Sequence, residues 1–122
     1  MRRGLIVLGR ALLSVQFITG GWAAAREPGR RVVSVERIGL PEPELLVRVN
    51  GGAMVLGGIA LALGFKPRWA AALLAALLVP TTYAGHRFWT MDPGPERAQQ
   101  TIQFCKNATM LGGLVVVTAG TR

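Results

Sequence analysis

Apolar residues run in four long blocks, about Leu5 to Ala25, Pro43 to Phe65, Trp69 to Gly85 and Ala98 to Gly120, and the charged residues gather between them. A hydrocarbon core about 30 Å thick asks for roughly 17 to 25 mostly apolar residues at a rise of about 1.5 Å each. Each block meets that length, so the pattern predicts an all-α chain folded as a four-transmembrane-helix bundle, a single membrane domain over residues 1–122 and multi-pass in the cell membrane. The first block also has the outline of an export signal, with Arg2 and Arg3 ahead of an apolar run that closes in Ala23-Ala24-Ala25. Arg10 interrupts that run, which is also long for such a signal, and both features favour a retained first helix.

Residues at the block ends predict the turns. Lys66-Pro67-Arg68 makes a tight basic connection, so the second and third spans form an antiparallel hairpin. Met91-Asp92-Pro93-Gly94-Pro95 closes the third segment and places Pro95 and Glu96 in the first turn of the fourth helix. There a proline forfeits no hydrogen bond and an acid suits the helix dipole. Pro80 falls inside the third span and should kink it, with the Thr81 and Thr82 hydroxyls at hand for freed carbonyls. Between Arg26 and Glu42, Val32, Val33, Val35 and Ile38 interleave with Arg30, Arg31, Glu36 and Arg37, as in a hairpin or a short helix lying at headgroup level.

Helices in lipid associate where small residues let backbones approach. Such pairs stripe the second span (Ala53 with Gly57, Gly58 with Ala62), the third (Ala71 with Ala75, Ala72 with Ala76) and the fourth (Ala108 with Gly112, Thr109 with Gly113). Gly57, Gly58, Gly112 and Gly113 are therefore expected at helix contacts rather than in a phosphate-binding loop.

Composition narrows the function. Half the residues are hydrophobic (51%) and only 16% are charged, against the roughly 25% of soluble chains. The net charge of +8 would suit nucleic acid, yet the 14 basic residues flank apolar blocks in ones and twos with no basic run or binding motif. Placed so, they meet anionic lipid headgroups, and no nucleic-acid partner is expected. A single cysteine, Cys105, excludes an intramolecular disulfide, a C-x-x-C pair and a thiolate metal cage, and the single His86 excludes a bis-histidine haem within one chain. No metal is expected, and a redox cofactor would have to be borrowed. Four spans put both termini on one side with Arg2, Arg3, Lys66, Arg68 and Arg122, opposite Arg26, Arg30, Arg31, Arg37, Arg48, Arg87 and Arg97. The basic count favours the second side as cytoplasmic, whereas Arg2, Arg3 and Arg10 around the first helix favour the termini, and we take the termini as cytoplasmic.

Polar residues near the bilayer are functional candidates by default. Arg10, Arg48 and Arg87 suit snorkelling to phosphates, and Glu44 stands one turn before Arg48 as its partner. The fourth helix is more informative: Glu96, Gln100, Gln103 and Asn107 recur at helical spacing with Lys106 alongside, near the point where His86-Arg87-Phe88-Trp89 leaves the third span. Lipid does not solvate such a stripe, so it should face the bundle interior or a wet cleft. The spans contain no acid beyond Glu44 at the outer end of the second, which leaves His86 and Lys106 to loop carboxylates, stripe amides, anionic lipid or the carbonyl oxygens of a noncovalently bound quinone. The expected ligand contacts are His86, Trp89, Gln100, Gln103, Lys106 and Asn107; no catalytic set is recognisable, and enzymatic activity is left open.

His86-x-Phe88-Trp89, Glu96-Arg97, Gln100, Phe104-x-Lys106-Asn107 and Leu111-Gly112-Gly113-Leu114 resemble the C-terminal signature of the DoxX family of small four-helix membrane proteins. Leu8-Gly9-Arg10 with Phe17 and Gly20, and Leu56-Gly57-Gly58 with Leu63-Gly64, are similar to the family's first and second helices. The resemblance spans the chain, with His86 to Gly113 its most specific part. Two positions depart from it. Met54 stands where relatives often carry a glutamate before Gly-Gly, and Gly21-Trp22-Ala23-Ala24-Ala25 lacks the lysine that tends to follow the first-helix glycine. The resemblance implies membrane oxidoreductase systems, some thiosulfate:quinone-linked and others associated with thiol- and superoxide-handling proteins. The expected function is a quinone- or lipid-contacting subunit of such a system, with soluble or membrane redox proteins as partners and an oligomer compatible with the packing surfaces. The alternative is a small transporter, channel or membrane scaffold without redox activity.

Overall fold

The computed structural model describes residues 1–120. Among these residues five helices follow one another: α1 (Arg2–Arg26), α2 (Arg30–Arg37), α3 (Pro43–Leu63), α4 (Pro67–Gly85) and α5 (Pro95–Gly120), with one 3-10 turn, Phe88–Thr90, between α4 and α5. No strand is present among the described residues, and the all-α bundle is as the apolar blocks predict. The Arg26–Glu42 connection, open between hairpin and helix in the sequence, contains α2, none of whose residues is fully buried.

Proline starts three of these helices. Pro43, Pro67 and Pro95 each open one, where the missing N–H costs nothing, and Glu44 and Glu96 stand in the first turns of α3 and α5. At its other end α3 stops on Gly64, whose φ of 75° is the left-handed conformation that glycine adopts without strain. Phe65 N–H donates to Ala60 O at 2.9 Å and Gly64 N–H to Leu61 O at 3.2 Å, a Schellman closure of the last turn. Lys66, itself at φ 43°, then passes directly into α4, giving the tight hairpin.

Cross-helix contacts fix an up-and-down arrangement. Gly21 meets Gly51, Phe17 and Ile18 meet Gly58, and Arg10 meets Gly64, so α1 and α3 run antiparallel. Asn50 meets Thr81 and Gly57 meets Leu74, which sets α4 antiparallel to α3; Asn107 against Thr82 does the same for α5 and α4. The bundle closes between α5 and α1 where Leu13 lies over Gly113. The core comprises Phe17, Met54, Leu61, Ala70, Ala71, Leu74, Leu78 and Leu114.

The tightest crossing is backbone on backbone. A Cβ on Gly21 would stand 2.6 Å from Gly51 O, and one on Gly51 would stand 2.5 Å from Gly21 O. Of the glycines singled out in the sequence, Gly57 seats Leu74, Gly58 seats Ile18 and Phe17, and Gly113 seats Leu13, whereas Gly112 is exposed with nothing within 4 Å of an added Cβ. Gly112 therefore makes no packing contact within the chain, because its neighbour Gly113 takes the face toward α1.

The outer surface is apolar. Leu5, Leu12 and Val15 on α1, Val49 and Leu56 on α3, Leu73 and Val79 on α4, and Ile102 and Val116 on α5 are all exposed, an inversion of the soluble pattern that lipid-facing helices require. Helices α1, α3 and α5 are long and apolar enough to cross a membrane. The 19-residue α4 is not among them, since Arg68, Pro80, Thr81 and Thr82 dilute its apolar stretch.

Pro80 removes the N–H that would serve Ala76 O. The Thr81 and Thr82 hydroxyls donate instead to Leu77 O (2.7 Å) and Leu78 O (2.8 Å), the next two carbonyls along. They reinforce the turn after the freed carbonyl rather than replacing its lost donor.

Candidate functional site

The stripe on α5 lies against the end of α4, as its polarity demands, and burial increases along it: Glu96 is exposed, Gln100 and Gln103 are half-buried and Asn107 is buried. Each inner member has a partner. Asn107 Nδ2 donates to Thr82 Oγ1 at 2.9 Å, and His86 Nδ1 lies 2.6 Å from Gln100 Oε1. An amide oxygen only accepts, so Nδ1 carries the proton in this contact and Nε2 is the nitrogen left for another group. Lys106 Nζ donates to Gln103 Oε1 at 2.7 Å, which leaves two of its three ammonium hydrogens beyond that bond. Of the partners open to His86 and Lys106, both use amides of the stripe.

Aromatic rings wall this region. Phe88 and Trp89, carried by the 3-10 turn, meet each other edge-on at 5.3 Å, and Phe104 of α5 lies 5.3 Å from Phe88 and 5.8 Å from Trp89. Tyr83 extends the group to 6.3 Å from Trp89 and carries the Arg87 guanidinium 5.1 Å above its own ring. Edge-to-face rings at such separations hold one another firmly, so the short turn is fixed by packing despite having no buried residue.

One polar side chain of this region, Asn50, is not marked by the sequence pattern. Asn50 of α3 donates to Thr81 Oγ1 at 2.6 Å, and its own Oδ1 is buried without a hydrogen-bond partner. With Asn107 and Thr82 it forms a polar layer across α3, α4 and α5. The helical spacing of Asn50 from Gly57 on the face toward α4 was the available signal.

The three flanking arginines take different places. Arg48 pairs with Glu44 at 3.0 Å, as their spacing implies. It also donates from Nη1 to Ala25 O at 2.7 Å and Arg26 O at 3.3 Å, capping the C-terminus of α1. Arg10 lays its guanidinium against Gly64 at the C-terminus of α3. Arg87 borders an open cleft of about 310 Å³ beneath α2, which Gln100 also lines. Among the described residues, no three His, Cys, Asp or Glu side chains come together to hold a metal ion.

Antiparallel apolar helices with an inward polar layer and a lipid-facing outer surface define a small helical integral membrane protein. The chain belongs to the DoxX family, whose model, described as DoxX, matches residues 5–87. No curated protein and no solved structure matches the chain. Family membership therefore rests on α1 to α4 and the first residues beyond them. Of the His86–Gly113 stretch on which the resemblance leaned most, only His86 and Arg87 lie inside the match.

Gly21 and Met54 meet in space. A Cβ on Gly21 would lie 3.0 Å from Met54 Cβ, so the Gly21–Ala25 stretch of α1 begins against Met54 of α3. Close apolar packing occupies this point of the α1–α3 crossing.

Proposed function

We propose that this chain is a multi-pass subunit of a membrane oxidoreductase system in the cell membrane. On this reading it contacts a quinone or lipid headgroup through His86, Trp89, Gln100, Gln103, Lys106 and Asn107. The observation that carries the reading is the union of unspent donors with flat apolar walls. Two Lys106 ammonium hydrogens remain as donors and His86 Nε2 as an acceptor, Phe88, Trp89 and Phe104 supply flat rings in the same stretch of chain, and the carboxylates of α3 and α5, Glu44 and Glu96, stand only in the first turns of those helices. A neutral ring bearing carbonyl oxygens asks for donors and stacking surfaces rather than a counter-charge. When bound, a quinone supplies the two-electron chemistry; this chain's residues supply orientation, with Lys106 donating to an oxygen and the rings excluding water.

The reading has four spans, and the arrangement of α3 and α4 supports the count. Helix α4 returns antiparallel along α3 from a tight turn, and its 19 residues reach about 28 Å at ~1.5 Å each, so it crosses wherever α3 does.

A membrane scaffold without redox activity is the second reading. It is favoured by the amides: Asn107 and Gln100 are already committed to Thr82 and His86, as in a bundle whose polar groups only hold it together.

The test is purification from native membrane in mild detergent, with mass spectrometry of extracted quinones, lipids and copurifying proteins. A stoichiometric quinone that is lost in His86→Ala and Lys106→Ala supports the redox reading. Phospholipid alone, unchanged in those variants, supports the scaffold.

A further inference from the structure

We propose that the cleft between α2 and the α4–α5 turn is a binding site for a phosphate group, the headgroup phosphate of an anionic lipid being its expected source. Arg30, Ser34 and Arg37 recur at one-turn and two-turn spacing on α2 and line one wall, while Arg87, Thr90 and Gln100 line the other. Three arginines thus border about 310 Å³ of open space with no carboxylate among the lining residues. That is a size suited to a small headgroup, near the lower end of the roughly 300–1,000 Å³ of small-molecule sites.

Two further observations separate this cleft from a generally basic surface. A second cleft of about 310 Å³ beside α2, lined by Trp22, Ala23, Arg26, Glu27 and Arg31, contains an acid that offsets its arginines. And Arg87 is not a free surface charge: its guanidinium is held over Tyr83, and its Nε is buried without a hydrogen-bond partner. Like charges converge at a cost unless an anion answers them, and a planar guanidinium matches phosphate oxygens in paired hydrogen bonds. Helix α2 has no fully buried residue and lies across the end of the bundle where the charged loops gather. That is the level of lipid phosphates rather than of the hydrocarbon. The proposal is separate from the quinone reading, with which it shares only the side chain of Gln100.

The experiment measures binding of phosphatidylglycerol and phosphatidylcholine to the detergent-purified full chain by native mass spectrometry at fixed ionic strength, with inorganic phosphate as competitor. Phosphatidylglycerol is expected to bind at least tenfold more tightly than phosphatidylcholine. That preference is expected to fall at least tenfold in Arg30→Gln/Arg37→Gln and in Arg87→Gln, and to survive in Arg26→Gln/Arg31→Gln. Retention of the lipid against millimolar phosphate assigns the site to a headgroup. Displacement of the lipid, with phosphate binding lost in the same variants, assigns it to a soluble phosphate and upholds the site. A preference unchanged in Arg30→Gln/Arg37→Gln, or lost equally in Arg26→Gln/Arg31→Gln, overturns the proposal. The α2 variants alter exposed side chains alone, and Arg87→Lys, which keeps the charge, guards against misfolding at the third position.

Discussion

Asn107 donates to Thr82 Oγ1 at 2.9 Å while Thr82 donates onward to Leu78 O at 2.8 Å, so one hydroxyl joins α5 to the turn that follows Pro80. The neighbouring hydroxyl of Thr81 does the same for α3, accepting from Asn50 at 2.6 Å and donating to Leu77 O at 2.7 Å. The proline and two threonines therefore act together: the helix is interrupted where flanking amides fasten it on both sides.

A double-mutant cycle reads the strength of this link. Interhelical hydrogen bonds in membrane proteins average about 0.6 kcal/mol and reach about 1.7, and Asn107 is buried, so its pair belongs in the upper half. Asn107→Ala and Thr82→Val are each expected to lower unfolding free energy in detergent, with a coupling of about 1 kcal/mol. Strictly additive losses would show that the bond contributes nothing.

Neighbouring glycines on α3 offer a sharper contrast. A methyl at Gly51 strikes the Gly21 carbonyl, whereas one at Gly52 meets nothing within 4 Å. Gly51→Ala must push α1 away from α3 and is expected to destabilise by about 1–3 kcal/mol, the usual range for overpacking. Gly52→Ala should leave the melting temperature unchanged or higher. Equal effects from both would refute the close crossing.

Arg48 and Glu44 are also separable. The salt bridge is exposed, with side chains 44% and 64% accessible, so the ion pair alone is worth little. The bonds from Arg48 to Ala25 O and Arg26 O cap α1. Arg48→Ala is therefore expected to lower the melting temperature by several degrees and Glu44→Ala by much less, as circular dichroism at 222 nm would report. The reverse order would make the ion pair the stabilising element.

Much of this architecture is legible in the residue pattern, for physical reasons that differ by element. Apolar block length fixes helix length, so the predicted Pro43–Phe65 and Trp69–Gly85 differ from α3 and α4 only at the tight connection, where Gly64 and Phe65 leave α3 and Pro67 and Arg68 join α4. The Glu44–Arg48 pair and the inward stripe on α5 are local to one helix, and helical spacing suffices to find them. The Gly21–Gly51 crossing and the Asn50–Thr81 bond depend on the register between helices, which no single-helix periodicity specifies. Thr82 as the partner of Asn107, and the convergence of Arg30 and Arg37 on Arg87, are hidden for the same reason.

Cys105 gives a direct test of whether α5 crosses the bilayer. It is the sole cysteine and is exposed on the outer face of its helix. It stands about 10 Å along the axis from Ala98, where the fourth span begins, at ~1.5 Å per residue, well inside a hydrocarbon core of about 30 Å. A thiol reacts as its thiolate, which needs water, so a side chain inside the hydrocarbon is protected however exposed it is on the protein. In native membranes Cys105 is expected to resist a charged, water-soluble maleimide on either side and to react once detergent replaces the lipid. A cysteine placed at Thr90 in a Cys105→Ser background, on the 3-10 turn, should react before detergent is added. Rapid labelling of Cys105 in intact membranes would mean that α5 lies along the surface or lines a water-filled passage, and the transporter reading would then displace the buried-stripe one.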